Sequence, residues 1–495
     1  MGLIKQQSIR SSILIYIGFA FGAVNMLILG PKILGPELLG LTRIITDAGI
    51  TLATLSTFGT IPVIYKFFPF YNDYLSSKKS DLPAITGFIC LSGFILVCII
   101  GYFSQDIIVR KYSEKSPLFV EYSYLVYPFS FFMLAFMWLE SFGWSFRLSV
   151  LTNGLREILP RIFFTILTLL LSVSFLSEQQ YLLFFSFSYL LSGVLLYRFL
   201  RKSGKFAFIF KLSNVTRRLK SRMVNFGLFI FGAHFLNLLA RTIDTFILAS
   251  VSKGGLADAA IFTIATYVVT LMEVPQRSLN SVTIPILADA WKNRDLPKIS
   301  SIYNKSVSNL LVIGLAMLIL FVLNSGNLEQ FLGDKFYGVS FAILIIGIGK
   351  LIDLGTGANT QILGTSSYWK VDFTTTAIYT LLALPLNYVL ISKYGIKGAA
   401  YSSLISICFY NLMRFGFLYY KFKLQPYTLK NLLVVVIAFV CGLCAYLLPF
   451  MLNIYIDSII RSVLFILLFI PVIYRFNISE EINTSITSML KSVKK

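Results

Sequence analysis

Residues 83–103 read PAITGFICLSGFILVCIIGYF, without one charged side chain. A membrane-crossing helix takes about 20 apolar residues, so this stretch reads as a span. Outward from it, apolar runs of similar length fall at about 11–30, 39–62, 118–142, 157–176, 181–200, 224–250 and 259–287. They continue at about 303–324, 336–364, 371–391, 397–420, 431–450 and 456–474. Together these runs predict about 14 transmembrane helices. Composition agrees: 57% of the 495 residues are hydrophobic and 13% are charged, with a mean hydropathy of +0.78. A soluble domain carries about 25% charged residues, and a disordered chain has few apolar ones. The expected fold class is therefore an all-α polytopic membrane protein.

The net charge of +21 would point to nucleic acid in a soluble chain. In a membrane protein it follows from lysine and arginine held in cytoplasmic loops, so no nucleic-acid partner is expected. With the N-terminus inside, the inner segments hold 30 of these residues and the outer loops 8. That bias supports an even number of spans with both termini cytoplasmic. Arg414 counts among the inner anchors, and Arg461 is expected to snorkel from the outer end of the last span. No cleavable signal peptide is evident, because 13–29 is long enough to span and lacks a small-residue cleavage site.

The basic segment 201–223 separates two six-helix lobes, 1–200 and 224–420, and 421–495 adds two helices and a tail. Phe206, Phe208 and Phe210 between its basic residues predict that the segment lies on the membrane surface. Ile28-Leu29 and Ile61-Pro62 in the first lobe match Ile247-Leu248 and Ile284-Pro285 in the second, as a weak parallel repeat would. The five cysteines all lie in apolar runs. Cys441 and Cys444 have redox or metal spacing, but with no histidine or acid nearby they read as packing residues. Ile478, Ile482, Ile486 and Leu490 recur at helical spacing in the tail.

Charges inside spans cost about 2.5–3.5 kcal/mol each on insertion scales, so they mark a cavity, a partner or a pathway. Four bases each have an acid one turn away: Arg43 with Asp47, Arg241 with Asp244, Arg277 with Glu273, and Lys350 with Asp353. Spacings of i,i+3 and i,i+4 put each pair on one helix face. His234, the single histidine, and Asn237 share the face of Arg241 and Asp244. Thr263, Thr266, Thr270, Glu273, Arg277 and Asn280 form a second stripe, and Arg43, Asp47, Thr54 and Thr57 a third. Three readings stay open: structural bridges between helices, a cavity for a charged substrate, or a proton or ion relay. Pro275, between Glu273 and Arg277, is expected to free a carbonyl and bend its helix. Pro128 and Pro385 interrupt other spans. No catalytic constellation, metal set or phosphate-binding Gly-Lys-Ser/Thr loop is evident, so neither an enzyme nor a cofactor is expected.

Several stretches carry a resemblance. They are Ser8-Ile9-Arg10-Ser11-Ser12, Lys32-Ile33-Leu34-Gly35-Pro36-Glu37-Leu38-Leu39-Gly40-Leu41 and Arg241-Thr242-Ile243-Asp244-Thr245-Phe246-Ile247-Leu248. Val274-Pro275, Ile284-Pro285-Ile286-Leu287 and Gly395-Ile396-Lys397-Gly398-Ala399-Ala400 complete the set. In these the chain resembles the polysaccharide transporters, of O-antigen flippase type, in the multidrug/oligosaccharidyl-lipid/polysaccharide exporter superfamily. The resemblance implies two six-helix lobes around a central cavity, plus two further helices. It implies flipping of a polyprenyl-pyrophosphate-linked oligosaccharide across the bacterial inner membrane by alternating access. Arg43, Arg241, Arg277 and Lys350, with His234 and Asn237, would then meet substrate. Asp47, Asp244, Glu273 and Asp353 would be coupling or structural partners. Expected partners are the lipid-linked oligosaccharide, membrane lipids, protons or another coupling ion, and polysaccharide assembly enzymes. The alternatives are a drug/cation antiporter of the same superfamily and a membrane glycan polymerase or ligase. Short outer loops count against the last, and the base beside each buried acid counts against the antiporter.

Overall fold

The computed structural model describes residues 14–75, 80–146, 148–204, 206–449, 453–478, 481–484 and 487, without the side chains of 233, 234, 237, 240, 241, 278, 281, 282, 285 and 369. Helices are the only regular elements among the described residues, and the chain is an all-α polytopic membrane protein. Nine described helical stretches are long and apolar enough to cross a membrane. The first, Leu14–Ser56, holds two of the expected spans. Four expected spans, 157–176, 224–250, 259–287 and 397–420, are helical but are absent from those nine. Leu159–Ser172 is 14 residues long, and Thr242–Val251 and Leu256–Thr270 are shorter apolar helices. The structure divides into two compact units, Met1–Ala260 and Ile261–Lys495.

In the first unit, Val24–Leu34 is wound as a π-helix and runs into α1, Gly35–Ser56. Gly35, at φ 70° and ψ 177°, marks the junction between the two. That backbone setting favours glycine. Next come α2 (Thr60–Tyr74), α3 (Leu82–Phe103), α4 (Val126–Ser145), α5 (Leu159–Ser172), α6 (Leu190–Lys202) and α7 (Asn214–Val251). α1 is central to the unit. It packs on α3, α4 and α7 and buries Leu39, Leu41, Ile44 and Ile45. At Gly40 a Cβ would stand 1.9 Å from the Leu256 carbonyl oxygen, so only glycine allows the approach.

The basic segment is partly helical, since Asn214 to Arg222 are the first turns of α7. Ser213 caps that helix, its hydroxyl accepting the Thr216 N–H at 3.2 Å. Asp81 Oδ2, fully buried, accepts the Ser213 N–H at 2.7 Å and the Thr216 hydroxyl at 2.8 Å. We expect Asp81→Ala to cost about 1–3 kcal/mol, read as a lower thermal midpoint of the purified protein. An unchanged midpoint would show that the cap carries no stability. One aromatic of the segment departs from the expected surface location, while Phe208 keeps an exposed face. Phe206 is buried among Trp138, Phe142, Tyr197 and Phe208, because burying an aromatic ring outweighs leaving it in water. Phe210 is exposed.

α8 (Leu256–Thr270) leads to the second unit's α9 (Glu273–Lys292), α10 (Leu296–Leu332), α11 (Val339–Gly355), α12 (Asn359–Thr365), α13 (Trp369–Tyr394), α14 (Ile396–Phe422), α15 (Leu429–Tyr446) and α16 (Ile454–Arg475). α10 is the spine: α11, α15 and α16 all pack on it. Val312, Leu315, Val434, Ala438, Phe465 and Phe469 form part of the shared core. Cys441 belongs to this core and Cys444 is exposed, both as free thiols, which fits packing. Ile478 and Ile482 extend the same core, while Ile486 and Leu490 fall outside the described residues.

Two expectations change here. Pro275 lies in the first turn of α9, after a helix break at Leu271-Met272. A first-turn N–H has no helical partner to lose, so the proline starts a helix instead of bending one. Arg461 does not snorkel. It is buried, pairs with Asp457 at 2.7 Å and donates to the carbonyls of Ala445, Tyr446 and Leu448. It thereby closes the C-terminal end of α15, where carbonyls lack helical donors.

Candidate functional site

α9 begins with Glu273, where an acid complements the helix N-terminus, and Arg277 follows one turn later. Arg277 NH2 pairs with Glu273 Oε2 at 3.0 Å. The other oxygen, Glu273 Oε1, takes Lys350 Nζ from α11 at 3.2 Å. Lys350 Nζ also pairs with Asp353 Oδ2 at 2.9 Å and donates to Gln276 Oε1 at 3.3 Å. Glu273 therefore bridges two cations, and Lys350 sits between two carboxylates. Arg277 is 55% exposed at its side chain and Lys350 13%. One cation of the set is accessible and the other is held inside.

The network continues through α14. Asn411 Nδ2 donates to Asp353 Oδ1 at 3.3 Å, and its Oδ1 accepts from Thr356 Oγ1 at 2.8 Å and Asn359 Nδ2 at 3.0 Å. Thr360 links Asn359 to Arg414. Arg414 pairs with Asp372 of α13, donates to Thr375 and Thr376, and lies 3.8 Å from the Tyr410 ring centroid. Five helices thus share one polar network with three bases and three acids. Buried polar groups linked in this way hold one another's geometry.

In the first unit, Arg43 Nε pairs with Asp47 Oδ2 at 2.9 Å. The side chains of His234, Asn237 and Arg241 lie outside the described residues. Asp244 is described and half-buried on α7. So three expected pairs are present: Arg43–Asp47, Glu273–Arg277 and Lys350–Asp353. The sequence did not show that the last two are joined.

Other residues escaped the sequence reading. Arg414 is buried instead of standing free in a loop, with its side chain 1% exposed. Its acid, Asp372, is 42 residues away, so a one-turn search could not find it. Asn411 and Gln276 gave no charge signal. Glu140 on α4, inside an expected span, takes Arg156 NH1 at 2.7 Å. Its burial within an apolar run was the available clue. Glu157 and Arg161 pair at i,i+4 and 2.9 Å, a spacing that could have been read directly.

A family model described as "Polysaccharide biosynthesis protein" matches residues 4–291. No curated protein matches the sequence. The fold is similar to a solved structure of "Lipid II flippase MurJ, inward closed conformation", with a TM-score of 0.73 at 15% identity over 94% of this chain and 99% of that one. An inward-facing "multidrug resistance MATE family transporter of the MOP superfamily" gives 0.57 at 17% identity over 83% of this chain and 97% of that one. A "MOP superfamily transporter from Pyrococcus furiosus" gives 0.51 at 16% identity over 83% and 94%. At such identities the likeness establishes the fold.

Proposed function

The chain belongs to the polysaccharide biosynthesis protein family, and from that premise we propose that it is a flippase. Its substrate would be a polyprenyl-pyrophosphate-linked oligosaccharide, an O-antigen or other surface-polysaccharide unit, moved across the bacterial inner membrane by alternating access. Both termini are then cytoplasmic. In this reading 1–200 and 224–420 serve as the lobes, 201–223 joins them and 421–495 is the added part. The protein acts as a transporter and not as an enzyme.

The observation that carries this reading is the bridge of Glu273 to Arg277 and Lys350. A diphosphate is a stronger acceptor for arginine and lysine than one carboxylate. An arriving pyrophosphate would compete with Glu273 for both cations, entering first at exposed Arg277. Protonating Glu273 would release them, which gives a direct route for proton coupling. Arg43, balanced by Asp47, is the candidate cation of the first unit. Arg241, His234 and Asn237, with Asp244, remain substrate and coupling candidates on α7.

The test is a gene deletion with lipid-linked oligosaccharide measured on the cytoplasmic face. Accumulation is expected, cleared by wild type and reduced about tenfold less well by Arg277→Ala. Arg277 is exposed, so its loss should leave stability nearly unchanged. No accumulation, with raised sensitivity to cationic drugs, would overturn the flippase reading and favour an antiporter. Unaltered export after collapse of the proton gradient would remove the Glu273 coupling step alone.

A further inference from the structure

In the second unit, the ends of α10 and α15 and the beginnings of α11 and α16 border a cavity of about 560 Å³. It shares no lining residue with the Lys350 network. Its polar wall centres on Asn327, which is 5% exposed. Asn327 Nδ2 donates to Asp457 Oδ2 at 2.7 Å and to Ser458 Oγ at 2.8 Å. Those bonds fix the amide, because a flip would set its oxygen against a carboxylate. Asn327 Oδ1 is left buried without a hydrogen-bond partner.

The other buried polar groups there are also acceptors. Ser325 and Ser340 donate their hydroxyl protons to the carbonyls of Val322 and Ser325, which leaves lone pairs. Arg461 directs four of its five N–H groups to Asp457 and to three carbonyls, and the ion pair adds no net charge. Phe341, Leu344 and Leu448 supply apolar wall, and Tyr446, 66% exposed, stands at the rim. The volume lies within the usual range for small-molecule sites. The cavity is at the end of these helices that the lysine and arginine bias assigns to the outer face, a depth shared with lipid head groups.

We propose that this cavity binds a phospholipid whose head group carries hydrogen-bond donors, an ethanolamine ammonium or a glycerol hydroxyl. The donor meets Asn327 Oδ1, and an acyl chain runs along Phe341, Leu344 and Tyr446. An unpartnered buried acceptor is costly, and a head-group donor removes that cost. A choline head group has no N–H or O–H to offer. The site is separate from the proposed transport chemistry and stands without it.

The test is native mass spectrometry of the delipidated full-length protein, titrated with phosphatidylethanolamine, phosphatidylglycerol or phosphatidylcholine. The first two are expected to occupy the protein about fivefold more than phosphatidylcholine, the worth of one hydrogen bond. Leu344→Trp, which fills the cavity, should bring that ratio to about one. Tyr446→Ala at the exposed rim should lower occupancy by all three lipids without disturbing the fold. Equal binding of the three lipids by wild type would overturn the proposal. So would a preference that survives Leu344→Trp, or an absence of retained lipid, which would leave water as the donor to Asn327.

Discussion

Arg414→Leu is expected to destabilise the protein by about 3–5 kcal/mol, the usual cost of removing one partner of a buried ion pair. The leucine removes the guanidinium that holds Asp372, Thr360, Thr375 and Thr376. It also removes the cation over Tyr410. The hydroxyls then lose that donor. Asp372 is 28% exposed at its side chain, so hydration recovers part of the loss and keeps the figure near the lower end. Arg414→Lys keeps the charge but not the planar fork, and should fall about halfway. Thermal unfolding in detergent reads both. A leucine variant within about 1 kcal/mol of wild type would show that the network does not hold α13 to α14.

Lys350→Met is expected to reduce substrate export by about tenfold to a hundredfold, the range of a lost charge-assisted contact. Methionine keeps most of the length and none of the charge. Glu273 and Asp353 then lose their shared cation, and Arg277 alone remains to meet an anion. Stability should fall as well, because Asp353 is left without its cation while Glu273 keeps only Arg277. A double variant separates the two effects. Asp353→Asn combined with Lys350→Met removes the carboxylate left without its cation and should recover part of the stability. Export should not recover with it. Recovery of both would mean that Lys350 is a strut between α9 and α11 and makes no contact with substrate.

Much of the fold was legible because it rests on local rules. The bilayer sets span length, and among the described residues the expected spans are largely helical, although Leu14–Ser56 is continuous and 181–200, 259–287 and 336–364 are each interrupted. The break before Glu273 was hidden because Pro275 reads alike as a bend or a first-turn residue. Loop-charge counting took Arg414 for a loop anchor and could not show its burial against Asp372, for a related reason. It registers how close a base is to a span end, and not whether the next helix carries an acid for it.

The sequence by itself determined that the chain crosses a membrane as helices and that Arg43–Asp47, Glu273–Arg277 and Lys350–Asp353 are pairs. Both follow from a fixed helical period and from the cost of charge in hydrocarbon. Only the tertiary structure decided that Glu273 also takes Lys350, that Asn411 carries the network to Arg414, and that Arg461 closes α15. Those bonds join different helices, and which side chains meet across helices is set by packing, over separations that no sequence period encodes.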